Sequence, residues 1–364
     1  MTEQRRRIAV LFGGRSAEHE VSVVSARSVI DALDPSRYEA VPIGIDRHGG
    51  WHLLREPPAL VPGSGVLPHI EDGSGTSVEL DTTGEAALVA GDGSREPVDV
   101  VFPILHGPFG EDGTVQGLLE LAGVPYVGAG VLASAVGMDK AVQKVVLAAA
   151  GLPIVPYVVV HERDWQDDPE AVEAGAEHLG FPLFAKPAAL GTSVGITKVK
   201  EPAALAASLD EAFRHGRKAV LERSVEGGRE IECGVLGNDD PVASVAGEIQ
   251  PQGEFYDYEA KYLDESTRLI IPAELPEGML EEVQRQAVAA FRAIDAEGMA
   301  RVDFFFREPD ELIVNEVNTI PGFTQVSMYP KLWEASGLPY ADLVDRLVDL
   351  AIERHEREAK RSGG

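Results

Sequence analysis

Three oxygen-bearing side chains lie close together near the end of the chain, Asp303, Glu316 and Asn318, with Arg301 just before them and Gly322 just after. The segments ARVDFFF and ELIVNEV that carry them are rich in Val, Ile and Phe and are separated by the polar residues 308–310, which predicts two strands joined by a turn. Side chains alternate faces along a strand, so Glu316 and Asn318 share a face and Val317 points the other way. If the two strands pair, Asp303 joins them. The result is a cluster of hard oxygen donors without His or Cys, suited to Mg²⁺ held together with nucleotide phosphates and unsuited to zinc. A solvent-exposed acidic hairpin face would explain any one of these acids alone. It explains all three less well, given Arg301 and the Gly322 loop at fixed offsets.

The elements that must position this cluster follow from the rest of the sequence. Residues 8–12 are apolar and run into Gly13-Gly14 and then a helix over 21–33, the opening of an α/β domain. The glycine turn lacks the third glycine of a dinucleotide fingerprint. Glu18 and His19 sit in it, and a solvated helix start is their ordinary explanation. Residues 38–45 form a second strand. The segment 55–97, rich in Gly, Pro, Ser and Asp, reads as a loop-rich insertion or a β-hairpin region, with short β-like pieces such as 87–90. Residues 98–105 form a buried parallel strand that ends at His106, where functional loops of such sheets lie. Fixing that loop is an equal explanation for His106. Two helical pieces follow over 131–150, with Asp139 capping the second and Lys140 just inside it. Lys186 ends an apolar strand, and lysine is seldom buried without a partner. The small-residue loop from Pro187 to Gly195 can lie over phosphates and donate backbone N–H groups, or be a plain hairpin tip. Glu222 closes another strand. An ordinary strand end accounts for it, and an adenine edge read by backbone groups, with Glu222 accepting from the amine, is the alternative. Residues 254–266 are polar, aromatic and aperiodic, as in a binding loop or lid. A long amphipathic helix is expected over 277–295, further helices over 331–335 and 340–354, and a frayed charged tail beyond 354.

Composition narrows the partners. The 364 residues hold 32 Lys and Arg against 60 Asp and Glu, a formal net charge of −28, which argues against nucleic acid or an anionic membrane as partner. The single cysteine, Cys233, lies in an apolar strand. It excludes an internal disulfide and fits a reducing compartment. No apolar run reaches membrane-spanning length, so the expected location is the cytoplasm.

Seven segments carry a resemblance: GGRSAEHEVS at 13–22, LHGPFGEDGTVQGLLE at 105–120, GMDK at 137–140, AKPAALGTSVGITKV at 185–199, FYDYEAKY at 255–262, ARVDFF at 300–305 and NEVNTIPGFTQVSMYP at 315–330. In this order they resemble the D-alanine–D-alanine ligases of the ATP-grasp superfamily. The resemblance implies an α/β (α+β) ATP-grasp fold of three domains. These are an N-terminal parallel-sheet α/β substrate domain over 1–128, a central domain over 129–220, and a C-terminal domain over 221–364 with the metal site and substrate loop. Nucleotide is held between two sheets. The implied activity is ATP-dependent joining of two D-alanines through an acyl phosphate, for peptidoglycan synthesis. A D-alanine–D-lactate or D-serine ligase, or a non-catalytic nucleotide-binding module, is the alternative.

The resemblance also assigns roles. Asp303, Glu316 and Asn318 match the ligands of magnesium or manganese, usually two ions. Lys140 and Lys186 match phosphate-contacting lysines, with Lys261 similar to a third, and the loop at Thr192 and Ser193 would lie over the phosphates. Glu222 and Val225 correspond to the adenine segment and Glu230 to the ribose acid. Glu18 matches the acid that holds the first D-alanine's ammonium, linked to Thr192 or Ser193 and to Tyr262. Thr192 stands where serine is commoner in the family. Arg301 and the Gly322 N–H match oxyanion donors. Ser327 resembles the residue binding the second D-alanine's carboxylate, with His106 lining its pocket. Tyr262 keeps the form typical of dipeptide ligases. The implied partners are ATP and D-alanine, and the implied assembly is a homodimer.

Overall fold

The apolar run from Ile8 to Phe12 becomes the middle of β1, Arg6–Gly13, and is almost wholly buried. The computed structural model describes residues 5–59, 67–83, 86–191, 194–250 and 268–362. After β1 come β2 Tyr38–Ile45, β3 Trp51–Leu53, β4 Thr76–Leu80, β5 Ala87–Ala90, β6 Arg95–Pro97 and β7 Val100–Ile104, in a seven-stranded sheet of order β6-β5-β4-β3-β2-β1-β7. Only β2, β1 and β7 are parallel to one another. Helix α1, His19–Ala32, makes the crossover between β1 and β2. The turn after β2 is too short for a crossover, so β3 returns antiparallel. The Asp46 carboxylate shapes that turn by accepting from the backbone N–H groups of His48 and Gly50 at 2.8 and 2.9 Å.

Of the two readings of 55–97, the hairpin one holds among the described residues: β4, β5 and β6 extend the sheet as an antiparallel meander. Its turns are made by short polar side chains bonding their own backbone. Asp92 accepts from the Ser94 N–H at 2.9 Å, and Asp81 from the Thr83 N–H at 2.7 Å. Beyond β7 the sheet gains only a single parallel bridge among the described residues, between Tyr126 and Val101.

Helices α2 Thr114–Leu121, α3 Val131–Met138 and α4 Lys140–Ala149 lead into the central layer. Asp139 caps α4, accepting from the N–H groups of Ala141 and Val142 at 3.1 Å each. β8 Tyr157–His161, α5 Glu162–Asp167, α6 Pro169–Leu179, β9 Leu183–Pro187, β10 Thr197–Val199, α7 Leu205–Phe213 and β11 Lys218–Arg223 follow. Their antiparallel sheet has the order β10-β9-β11-β8. A domain boundary at 220/221 therefore falls inside β11.

The third sheet, β14-β13-β12-β15-β16, is antiparallel throughout. It is built from β12 Arg229–Gly237, β13 Val242–Gln250, β14 Arg268–Ile270, β15 Gly298–Arg307 and β16 Glu311–Asn318. Helix α8, Met279–Ala293, lays Val283, Ala287, Ala290 and Phe291 against it. Cys233 is buried in this core and its thiol is pushed up to about 12 by burial, so it is inert.

Helices α9 Met328–Ala335 and α10 Tyr340–Ser362 finish the described chain. Residues 355–362 of the tail expected to fray are instead the last part of α10. That helix returns to the first sheet, where Leu343, Val344, Leu347 and Val348 share a core with Ile8, Val10 and Val100. Its Arg354 is buried and donates to the carbonyls of Gly128 and Tyr126 at 2.5 and 2.8 Å. Losing charge-assisted bonds and leaving two carbonyls unpaired costs on the order of 2–3 kcal/mol. Arg354→Ala is therefore expected to lower the denaturation midpoint measurably. An unchanged midpoint in urea would remove this contact from the account of stability.

Candidate functional site

The β15–β16 register sets Arg301 opposite Asn318, Val302 opposite Val317 and Asp303 opposite Glu316. Both valines are buried, so the polar residues share the other face. The irregularity after Asp303 takes up Asn315 as an extra residue. Arg301 forks onto Asp303, Nε to Oδ1 at 2.7 Å and the second amino nitrogen to Oδ2 at 2.8 Å. Glu232 of β12, paired in register with Asp303, adds a carboxylate 3.0 Å from the same guanidinium. Asn318 donates to Asp303 Oδ2 at 2.8 Å. Burial disfavours the Arg301 charge, but Asp303 and Glu232 outweigh it and hold the guanidinium protonated.

Helix α4 faces this strand pair. Gln143 accepts from the Val317 N–H at 3.1 Å and donates to the Val317 carbonyl at 3.0 Å, joining helix to strand. One turn apart on the same helix, Lys140 reaches Glu316 at 3.0 Å and Lys144 reaches Glu222 at 3.1 Å. Lys186 of β9 takes the other oxygen of Glu222 at 2.5 Å. Burial opposes the Glu222 charge, yet Lys186 and Lys144 together hold its carboxyl down at about 2. Burial likewise opposes the Lys140 charge, and Glu316 reverses the effect. A cavity of about 340 Å³ opens between the second and third sheets. Lys140, Lys186, Glu222, Val225, Glu230, Arg301, Asp303 and Glu316 all line it, so the structure brings these expected residues to one place.

Among the described residues no group of three or more His, Cys, Asp and Glu is arranged to hold a metal by itself. The donors available are two carboxylates and an amide oxygen at neighbouring register positions. That all-oxygen set fits Mg²⁺ or Mn²⁺ shared with a phosphate ligand, because such ions complete their shell with substrate oxygens and water.

On the first-sheet side, Glu18 and His106 are both buried. His106 Nδ1 is 3.2 Å from the Ile320 carbonyl, and its Nε2 has no hydrogen-bond partner among the described residues. Burial keeps that imidazole below the usual histidine range. Near the 318–327 turn, a Cβ on Gly322 would meet Ser327 Oγ at 3.2 Å. Ser327 Oγ accepts from the Thr324 N–H at 3.1 Å, so it is held within its own turn. Thr192, Ser193, Lys261 and Tyr262 lie outside the described residues, as does the segment expected as a lid.

Sequence reasoning assigned no role to Lys144, Glu232, Gln143 or Glu111. The helical spacing Lys140, Gln143, Lys144 was the available signal for two of them. Glu111 accepts from the Gly107 N–H at 2.6 Å. Burial, then the nearby Glu18 charge, push its carboxyl up to about 8. A carboxyl with a raised folded-state pKa binds a proton that the unfolded chain releases above its ordinary value. Stability from this group is thus greatest in acid and falls as pH rises toward about 8. Glu111→Gln is expected to gain thermal stability relative to the parent across that window, with the gain level above it. A pH-independent difference in Tm would contradict the raised pKa.

Comparison with known proteins bears on the whole chain. Residues 7–129 match the family model of the D-ala D-ala ligase N-terminus, and residues 146–349 that of the C-terminus. A D-alanine–D-alanine ligase of Thermoanaerobacter sp. (strain X514) is 49% identical over 372 aligned positions, covering 98% of this chain and 99% of the relative. The solved D-alanine–D-alanine ligase of Coxiella burnetii is 39% identical with a TM-score of 0.86, covering 98% of this chain and 96% of that one. A D-Ala:D-Ser ligase of Enterococcus faecalis is more distant, at 34% identity and a TM-score of 0.83, over 96% of this chain and 100% of that one. With the three-sheet fold and the charged cleft between its second and third sheets, these matches place the chain in the D-alanine–D-alanine ligase family.

Proposed function

We propose that this chain joins two D-alanine molecules into D-alanyl-D-alanine at the expense of ATP, as a supplier of a cell-wall precursor. The observation that carries the reading is the cleft in which Arg301, Asp303 and Glu316 face Lys140 and Lys186. A carboxylate oxygen of the first D-alanine attacks the γ-phosphorus, ADP leaves, and an acyl phosphate forms. The neutral amine of the second D-alanine then attacks the acyl carbon, and inorganic phosphate departs from the tetrahedral intermediate.

In this scheme Lys140 and Lys186 neutralise phosphate oxygens, and Val225, Glu222 and Glu230 border the adenosine. Asp303, Glu316 and Asn318 would hold Mg²⁺ or Mn²⁺, which supplies charge neutralisation on the phosphates. Glu18 receives the first ammonium group. Arg301 and the Gly322 N–H face the developing oxyanion, and Ser327 with His106 receives the second substrate. Thr192, Ser193, Lys261 and Tyr262 carry the roles implied by their motifs. No helix among the described residues is long and apolar enough to cross a membrane, and a cytoplasmic location is part of this reading. So is a homodimer, which light scattering tests.

ADP release from the full chain is expected to depend on D-alanine, and D-serine or D-lactate as second substrate is expected to react poorly at neutral pH. Equal rates with either would reject dipeptide specificity, and ADP release indifferent to D-alanine would reject the ligase reading. One oxyanion donor contributes on the order of 3 kcal/mol, so Arg301→Ala is expected to lower kcat at least about a hundredfold while ADP still binds. A kcat within a few-fold of the parent would exclude that role. Glu316→Gln is expected to shift the Mg²⁺ titration of nucleotide binding to higher concentration. An identical titration curve would take Glu316 out of the ligand set.

A further inference from the structure

Glu18 receives an ammonium group only if its carboxylate is held in place, and its own turn does little of that holding. It precedes α1 with φ −93° and ψ 19°, and its side chain makes no capping hydrogen bond. Its backbone N–H reaches Ser16 Oγ at a long 3.2 Å. The residue after it is different. His19 is wholly buried, and both of its ring nitrogens are engaged by backbone groups from separate segments.

The directions of these two bonds fix the tautomer. The Ile70 N–H donates to Nε2 at 2.9 Å, so Nε2 carries no proton. In a neutral imidazole the proton is then on Nδ1, which donates to the Gly14 carbonyl at 2.7 Å. The ring also fills the space beside the glycine turn. A Cβ on Gly13 would lie 3.0 Å from His19 Cε1 and 3.3 Å from Ile70 Cγ1. Gly13 has φ +88° and Gly14 φ +93°, backbone that other residues rarely adopt. The end of β1, the start of α1 and the segment at Ile70 therefore meet on one imidazole. Ser22, one turn further along α1, accepts from the Gly13 N–H at 2.8 Å and so ties the helix to the same turn.

We propose that His19, as its Nδ1–H tautomer, is a positioning residue: its two opposed hydrogen bonds lock the first turn of α1 against the Gly13-Gly14 turn and so fix the Glu18 carboxylate for the first D-alanine. The inference rests on the reading of Glu18 as the ammonium acceptor. Protonating Nε2 would set an N–H against the Ile70 N–H and break that bond. Burial keeps the ring below the ordinary histidine value, with the Gly14 carbonyl opposing. The charged and titratable groups around the ring are Arg47 after β2, Glu20 on its own helix and His69 beside Ile70, with Glu18 adjacent in the chain. The lock is whole at neutral pH and is lost in acid.

The test is D-alanine affinity, measured by calorimetry on the full chain with ADP and Mg²⁺. His19→Ala is expected to weaken it about tenfold, while ADP affinity is kept and kcat at saturation changes less than about threefold, the scale of losing one or two hydrogen bonds. His19→Gln can donate to Gly14 and accept from Ile70 without titrating. It is expected to bind D-alanine within about twofold of the parent at neutral pH, by the same bond count, and to lose the His19 part of the parent's weakening in acid. Ring ¹⁵N shifts of the parent, which need no variant, are expected to show Nδ1 protonated and Nε2 bare at neutral pH. Parental affinity in His19→Ala, an unaltered acid response in His19→Gln, or a proton on Nε2 each overturns the inference. Glu18→Gln separates the two readings. If it leaves D-alanine affinity intact, the Glu18 assignment fails. If it weakens binding and the His19 variants do not, the His19 inference alone fails.

Discussion

The pairing register of β15 with β16 is the constraint on which the cleft depends. A slip of one residue in the edge strand β16 would turn Glu316 and Asn318 toward the core and expose Val317, while Asp303 stays fixed by the pairing of β15 with β12. The register is secured from both sides. Val302 and Val317 are buried under α8, and Gln143 of α4 satisfies the outer N–H and carbonyl of Val317 on the edge strand. Apolar packing thus determines where the charges go, and the charges themselves need supply little stability.

Within the cleft the charges balance. Lys140, Lys144, Lys186 and Arg301 are matched by Glu316, Glu222, Glu232 and Asp303 at 2.5 to 3.1 Å. Buried ions are tolerable only in such company, since desolvating an unpaired one is expensive. Balance also has a chemical consequence. A triphosphate entering a neutral cleft brings several negative charges that the lysines cannot cancel without abandoning their carboxylates. Divalent ions would restore the balance and give those carboxylates new partners, which is a physical reason for an all-oxygen donor set here. The chain's net charge of −28 makes this local accounting the more necessary.

Much of this was legible in the sequence because it is local. The alternation Arg301-Val302-Asp303 and Glu316-Val317-Asn318 needs only the period of a strand, and the 308–310 turn lies where the polar residues put it. The Lys186 reading, a buried cation in need of a partner, was also local. Its partner was not. Glu222 lies on β11 and Lys144 on α4, and only the docking of that helix between two sheets makes them a triad. Glu111 became unusual first through burial and then through Glu18, 93 residues earlier and on another strand's loop. The meander β4 to β6 was obscured for another reason. Its strands are three to five residues long, too short to display a period among Gly, Ser and Asp. The polar end of α10 read as a tail because helices held by one buried arginine and surface pairs lack an apolar stripe.

Helix α10 has one more implication, for the order in which the polypeptide matures. The face of the first sheet carrying Ile8, Val10 and Val100 is covered by Leu343, Val344, Leu347 and Val348, more than two hundred residues downstream. A ribosome emitting this chain exposes a greasy surface early and delivers its cover late. The amino-terminal lobe therefore cannot reach its final packing in isolation, and the nascent protein must stay soluble, alone or chaperoned, until the closing helix emerges.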